Sequence, residues 1–173
     1  MNIRAQHITI KVIAIICILS TLLYTGDSNS ASHTIRIIVP EVALLDIESE
    51  YNKNIPLLFT APSESGEPIT SSSNSDLWLN VTSIVSSGDS REITVKIDNT
   101  IPGLDLKVMP KDYQGNGFGY WGTPNSELSL TTFEQVLISG IRSGVTANSF
   151  NNGYNLEYEA ALDNSSIKDL VST

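Results

Sequence analysis

The chain has 173 residues, with 19 acidic against 10 basic side chains, one cysteine and two histidines. A formal charge of −9 repels phosphate backbones and anionic headgroups, which argues against nucleic-acid and membrane-surface partners. Cys17 and His7 both lie in an apolar N-terminal stretch, so without it His33 is the only imidazole and no thiol remains. That disfavours thiol nucleophiles, histidine acid–base chemistry and zinc-type ligation, and neither a metal nor an organic cofactor is expected.

The N-terminal stretch has the form of an export signal over residues 1–32. Arg4 and Lys11 make it positive, and Val12 to Tyr24 form an apolar run of 13 residues. That is too short to span a bilayer comfortably but suits a secretory core. Ser28-Asn29-Ser30 and Ser30-Ala31-Ser32 both satisfy the small-x-small cleavage preference, placing the cut between Ser30 and His33. Cys17 as a lipidated residue is disfavoured by the bulky Ile15 and Ile16 before it. Removing Arg4, Lys11 and Asp27 from the 10 bases and 19 acids leaves 8 and 18, a charge of −10 over residues 33–173. Those residues are expected to form a single domain, secreted, periplasmic or on the cell surface, with no membrane insertion after cleavage.

The remainder reads as short strands separated by turns. Ile35–Val39 and Val42–Ile47 are expected strands, divided by Pro40 into one bent edge strand. Ile55–Thr60 is another, and Glu64 to Ser75 reads as a loop. In the next strand Leu77, Leu79 and Val81 share one face, which puts Trp78, Asn80 and Thr82 on the outer, wet face. Ile93, Val95 and Ile97 alternate with polar residues, Pro102-Gly103 supplies a turn, and Leu104, Leu106 and Val108 resume the alternation; this predicts a hairpin. Further strands are expected at Glu127–Thr131 and Glu134–Ile138, and Asn152-Gly153 breaks the chain before the last one. There Tyr154, Leu156, Tyr158, Ala160 and Leu162 line one face. No amphipathic helix is predicted beyond one turn within Ser165–Val171. Eight or nine strands, mostly apolar on one face, predict an all-β fold: an antiparallel, immunoglobulin-like two-sheet sandwich.

Two elements are candidate sites. In Asp112–Pro124 three glycines in five residues, Gly115, Gly117 and Gly119, stand among Tyr113, Phe118, Tyr120 and Trp121, which together could form a ligand-binding tip, or fold back to plug one end of the sandwich. The apolar positions Ile35, Ile37, Val39, Val42 and Leu44 could complete the domain's own sheet or add to a neighbour's. The acids Asp98, Asp112 and Asp163 read as turn formers rather than calcium ligands. Glu157 and Glu159 share a strand face and superficially imitate a catalytic carboxylate pair. Asn80-Val81-Thr82 and Asn164-Ser165-Ser166 match glycosylation acceptors, a pattern common by chance.

The signal, the segment TIRIIVPEVALLDIE (Thr34–Glu48) and the last strand YNLEYEAAL (Tyr154–Leu162) together resemble secreted bacterial β-sandwich proteins of the pilin and spore-coat-U-like kind. The resemblance implies surface or periplasmic assembly and carries over no site residues. The chain departs from it in lacking a disulfide and in having its final strand, so a missing-strand groove is not expected. The functional expectation is a non-enzymatic surface or fimbria-like subunit, adhesive or structural, whose partners are itself or other surface subunits. The alternative is a carbohydrate- or protein-binding module that recognises a glycan or a protein through the 112–124 loop.

Overall fold

The computed structural model describes residues 32–163 and 167–169; the expected signal peptide lies outside them, apart from Ser32. The chain divides into two compact units, Met1–Ile38 and Val39–Thr173. Of the first, residues 32–38 are described, and they carry no regular secondary structure.

The second unit is all-β. In chain order its strands are β1 (Val42–Ser49), β2 (Phe59–Thr60), β3 (Thr70–Ser71), β4 (Ser73–Ile84), β5 (Arg91–Val95), β6 (Leu104–Pro110), β7 (Phe118–Gly119), β8 (Thr123–Pro124), β9 (Leu128–Ser129), β10 (Gln135–Ile141), β11 (Gly144–Val145) and β12 (Tyr154–Leu162). A single 3-10 turn, Ile167–Asp169, falls where one terminal turn is predicted.

All pairings are antiparallel. The large sheet runs β7-β11-β4-β12-β6-β9, with β1 added on β4. Twelve residues long, β4 is its axis. One edge of β4 carries β1 along Leu77–Ile84; the other carries β12 along Ser73–Leu79 and then β11 at Thr82 and Ser83. The second sheet is β5-β10-β8, and β2 and β3 form a small ribbon. Leu77, Leu79, Val108, Tyr154 and Leu156 of the large sheet meet Leu137, Ile138 and Ile141 of the second in one buried cluster. This follows from the two-residue period, which gives each strand one apolar face that only another sheet can cover.

The structure corrects the sequence expectation in several places. Twelve strands form among the described residues where eight or nine are expected, most of the additional ones only two residues long, and the segment that reads as a loop, Glu64 to Ser75, holds β3 and the start of β4. Ile35–Val39 is not a strand, so the bent edge strand reduces to β1 alone. The alternation on either side of Pro102-Gly103 is real, and the turn forms, with Gly103 at φ +81° and Leu104 N–H donating to Ile101 O at 3.1 Å. Yet β5 and β6 do not pair. β5 joins β10 and β6 joins β12 and β9, so this connection crosses between sheets. Asn80, expected to face water, is buried.

Candidate functional site

The expected assembly positions fall into two groups. Ile35, Ile37 and Val39 are 71%, 81% and 65% exposed, and outside any strand. Val42 and Leu44 belong to β1, with Val42 half-buried and Leu44 exposed. Since β4 occupies one edge of β1, the other has no partner strand among the described residues. Register with β4 sets Ala43, Leu45 and Ile47 opposite Ser83, Val81 and Leu79, on the core-facing side. Ile47 packs against the core, but Leu45 is 56% exposed. The core therefore does not close over this half of β1.

The gap is a cleft of about 290 Å³ between the edges of the two sheets. Ala43, Leu45 and Val81 line it from the large sheet, Ile93 and Ile141 from the second. Ser83 Oγ and Arg91 Nε, on residues that also line it, are buried without a hydrogen bond. Unmade bonds of this kind are costly unless water or another polar group answers them. Glu41 ties the approach to β1 onto β5: it accepts from Ser86 Oγ and pairs with Arg91 at 3.1 Å. The Ser86 bond, then Arg91, hold its carboxyl below the usual range. The final strand, β12, is present and paired on both edges, so this cleft is a gap between two sheets and not the groove of a missing strand.

The Asp112–Pro124 loop splits the four aromatics expected to act together. Tyr113 and Trp121 turn inward and stack at 4.0 Å with planes 11° apart, and Tyr113 meets the buried Tyr154 edge-on at 6.1 Å. Trp121 Nε1–H donates to Val145 O at 3.0 Å, and Tyr154 OH donates to Trp121 O. Tyr113 OH accepts from Gly117 N–H at 2.6 Å. A Cβ at Gly117 would collide with the Val145 carbonyl, so glycine is what lets the loop lie flat on β11. Burial, then the Tyr113 hydroxyl, push the Tyr154 phenol well above its ordinary value. Phe118 and Tyr120 instead point outward, 72% and 68% exposed, with the Arg142 guanidinium 5.8 Å from the Tyr120 ring. Half the loop is a plug and half is free surface.

Sequence reasoning missed the outer face of β4. Thr146 Oγ1 accepts Val81 N–H at 2.9 Å, and Asn80 Nδ2–H donates to Ser149 O at 3.1 Å. These bonds fold the 146–153 loop over Asn80, burying a side chain that alternation places in water and that matched a glycosylation acceptor. The nearby Asn152-Gly153 pair was the available signal. Gly153 has φ +86°, and a Cβ there would strike Leu79 O, so this loop must run directly against β4.

The two carboxylates that imitated a catalytic pair are both set beside lysines. Glu157 pairs with Lys111, whose bond holds the carboxyl below its usual range. Glu159 lies opposite Lys107, which itself bridges to Glu127 at 3.2 Å. Paired like this, both serve as ordinary cross-strand contacts. Comparison with protein-family models, with curated proteins and with solved structures found no match to this chain.

Proposed function

We propose that this chain is an exported, non-enzymatic structural subunit of immunoglobulin-like sandwich type that assembles by strand addition. The segment Ile35–Val39 of one copy lies along the free edge of β1 in the next and lowers its alternating side chains into the β1–β5 cleft. One observation carries the reading: an apolar, incompletely closed cleft beside an eight-residue strand with one edge unpaired among the described residues, in a chain that also exposes Ile35, Ile37, Ile38 and Val39. Extended apolar segments add to open sheet edges because main-chain hydrogen bonds give affinity and alternate side chains give register. Export follows from the signal-like residues 1–32, and the acidic surface keeps such a subunit soluble before it assembles.

The test is sedimentation velocity with electron microscopy of the secreted fraction, comparing the parent with the double variant Ile35→Asp/Ile37→Asp. The parent is expected to form oligomers or fibres and the variant to stay monomeric with an unchanged circular dichroism spectrum. A monomeric parent, or a variant that assembles equally well, overturns the reading. The exposed pair Phe118 and Tyr120 favours a second reading, a binding module that touches its ligand through these rings. Loss of surface adhesion in Phe118→Ala/Tyr120→Ala, with assembly intact, is its expected signature.

A further inference from the structure

A different cavity lies on the outer face of β4, at the Ser49 end of β1, and neither strand addition nor the 112–124 loop's exposed rings uses it. It holds about 310 Å³, at the small end of the range of ligand sites. Three aromatic side chains line it: Trp78 of β4, Tyr51 from the turn after β1, and Phe150 from the 146–153 loop. Glu50, Asp76 and Asn155 line it as well, beside Ser75, Gln114 and Asn151.

The lining residues come from five segments, and local bonds fix the backbone at several of them. Register sets Trp78 between Glu48 of β1 and Asn155 of β12 on one sheet face. Ser49 Oγ accepts the N–H groups of Tyr51 and Asn52, at 3.3 and 3.1 Å, and shapes the turn that presents Tyr51. Asn74 clasps Asp76 by two bonds, both 3.0 Å, one to its carboxylate and one from its N–H. Asn155 spends its Nδ2 hydrogens on Ser75 O and Leu77 O, at 2.6 and 3.3 Å, so its Oδ1 is the atom left for a ligand. The bond from Asn80 to Ser149 O fixes the loop bearing Phe150. The backbone around the site is thereby fixed, and the exposed Tyr51 ring is the part left for binding to order.

The chemistry of this set is selective. Aromatic faces take up the C–H face of a pyranose ring, whereas planar carboxylates and amides make directional bonds to its hydroxyls. Glu50 and Asp76 repel sulfated, phosphorylated or sialylated ligands, and no cationic side chain lines the cavity to reverse that preference. A purely apolar ligand would strip water from those carboxylates without replacing it. We propose that this cavity binds one sugar residue of a neutral glycan, with Trp78 and Tyr51 as the stacking surfaces and Asp76, Glu50 and Asn155 as hydroxyl partners. The inference stands apart from strand addition, since its residues lie outside the β1–β5 cleft.

The chain's two tryptophans, Trp78 and Trp121, make the test specific. Purified full chain is titrated separately with maltohexaose, cellohexaose, chitohexaose and mannohexaose, following both indole N–H resonances. The expected result is a saturable shift of the Trp78 indole with at least one of these glycans, unchanged in Trp121→Phe, together with loss of glycan binding by Trp78→Ala in isothermal titration calorimetry. Tyr51 is 87% exposed, so Tyr51→Ala should fold normally; it is expected to weaken binding about tenfold, the equivalent of one lost stacking contact. If Trp78→Ala does not fold, Tyr51→Ala and Asp76→Asn decide the matter. No shift of the Trp78 indole with any of the four glycans overturns the proposal, as does full binding by Tyr51→Ala and Asp76→Asn.

Discussion

Two regions of this molecule handle the same difficulty, a sheet end that must be closed, in opposite ways. Around Tyr154 the chain closes itself: Tyr113 and Trp121 stack over the buried phenol, and three glycines let the loop's backbone lie against β10, β11 and the residues next to them. Between β1 and β5 nothing comparable happens, and Leu45 stays more than half exposed on a face that elsewhere is core. In the first region no described side-chain polar atom is buried without a partner. The second keeps Ser83 Oγ and Arg91 Nε without one, and a strand from outside would relieve the deficit. Substitutions in the two regions should therefore differ in kind, not merely in size.

The largest effect is expected at the closed end. Tyr154→Ala removes a fully buried ring and should cost about 3–5 kcal/mol of unfolding free energy, measured by urea denaturation. Asn80→Ala removes one of the bonds between the 146–153 loop and β4 and leaves Ser149 O short of a donor; a loss of about 1–3 kcal/mol is expected in the same assay. Tyr154→Phe keeps the ring but deletes the hydroxyl's bond to Trp121 O, for about 1 kcal/mol near neutral pH. Its pH dependence is more informative. Burial raises the folded phenol above the unfolded value near 10, so the unfolded chain loses this proton first. Stability is complete below pH ~10 and falls as the pH climbs above it; Tyr154→Phe should flatten that alkaline decline.

At the open edge, Leu45→Thr should change monomer stability by less than about 0.5 kcal/mol, yet it should weaken assembly measured by sedimentation. The smallest effect belongs to Glu157. Lys111 lowers its folded carboxyl, so its contribution is present above the unfolded carboxylate value and fades as the pH falls through the lower folded one. Glu157→Gln should reduce the acid sensitivity of thermal melting slightly and leave the neutral melting point nearly unchanged.

Much of the strand content was legible in the sequence because side-chain alternation reports directly which face is dry. Ile93 and Val95, Leu77 and Leu79, and Tyr154 and Leu156 all sit inward as their spacing requires. What alternation does not report is the neighbour. β5 and β6 obey the same rhythm on either side of a well-formed turn, yet they belong to different sheets, since the face of a strand says nothing of what lies at its edge. The glycine-rich loop was recognisable as unusual. Its division into half-buried Tyr113 and Trp121 and exposed Phe118 and Tyr120 depends on contacts with β11 and β12, more than twenty residues away. Trp78 was visible as an outward aromatic, but its polar companions Glu50, Asp76 and Asn155 come from three separate segments, and only the folded register assembles them. Ile35–Val39 carries the pattern of a strand without lying in one, and the proposed role gives that pattern a use in a second molecule.

The most direct measurement is hydrogen exchange of the β1 amides in assembled parent protein against the monomeric Ile35→Asp/Ile37→Asp variant. In an antiparallel pair alternate amides of β1 point towards β4 and the rest point away. Strand addition predicts that the outward set between Val42 and Ile47 exchanges quickly in the monomer and becomes protected on assembly, while the inward set is slow in both. Equal exchange of the outward set in the two samples would contradict it.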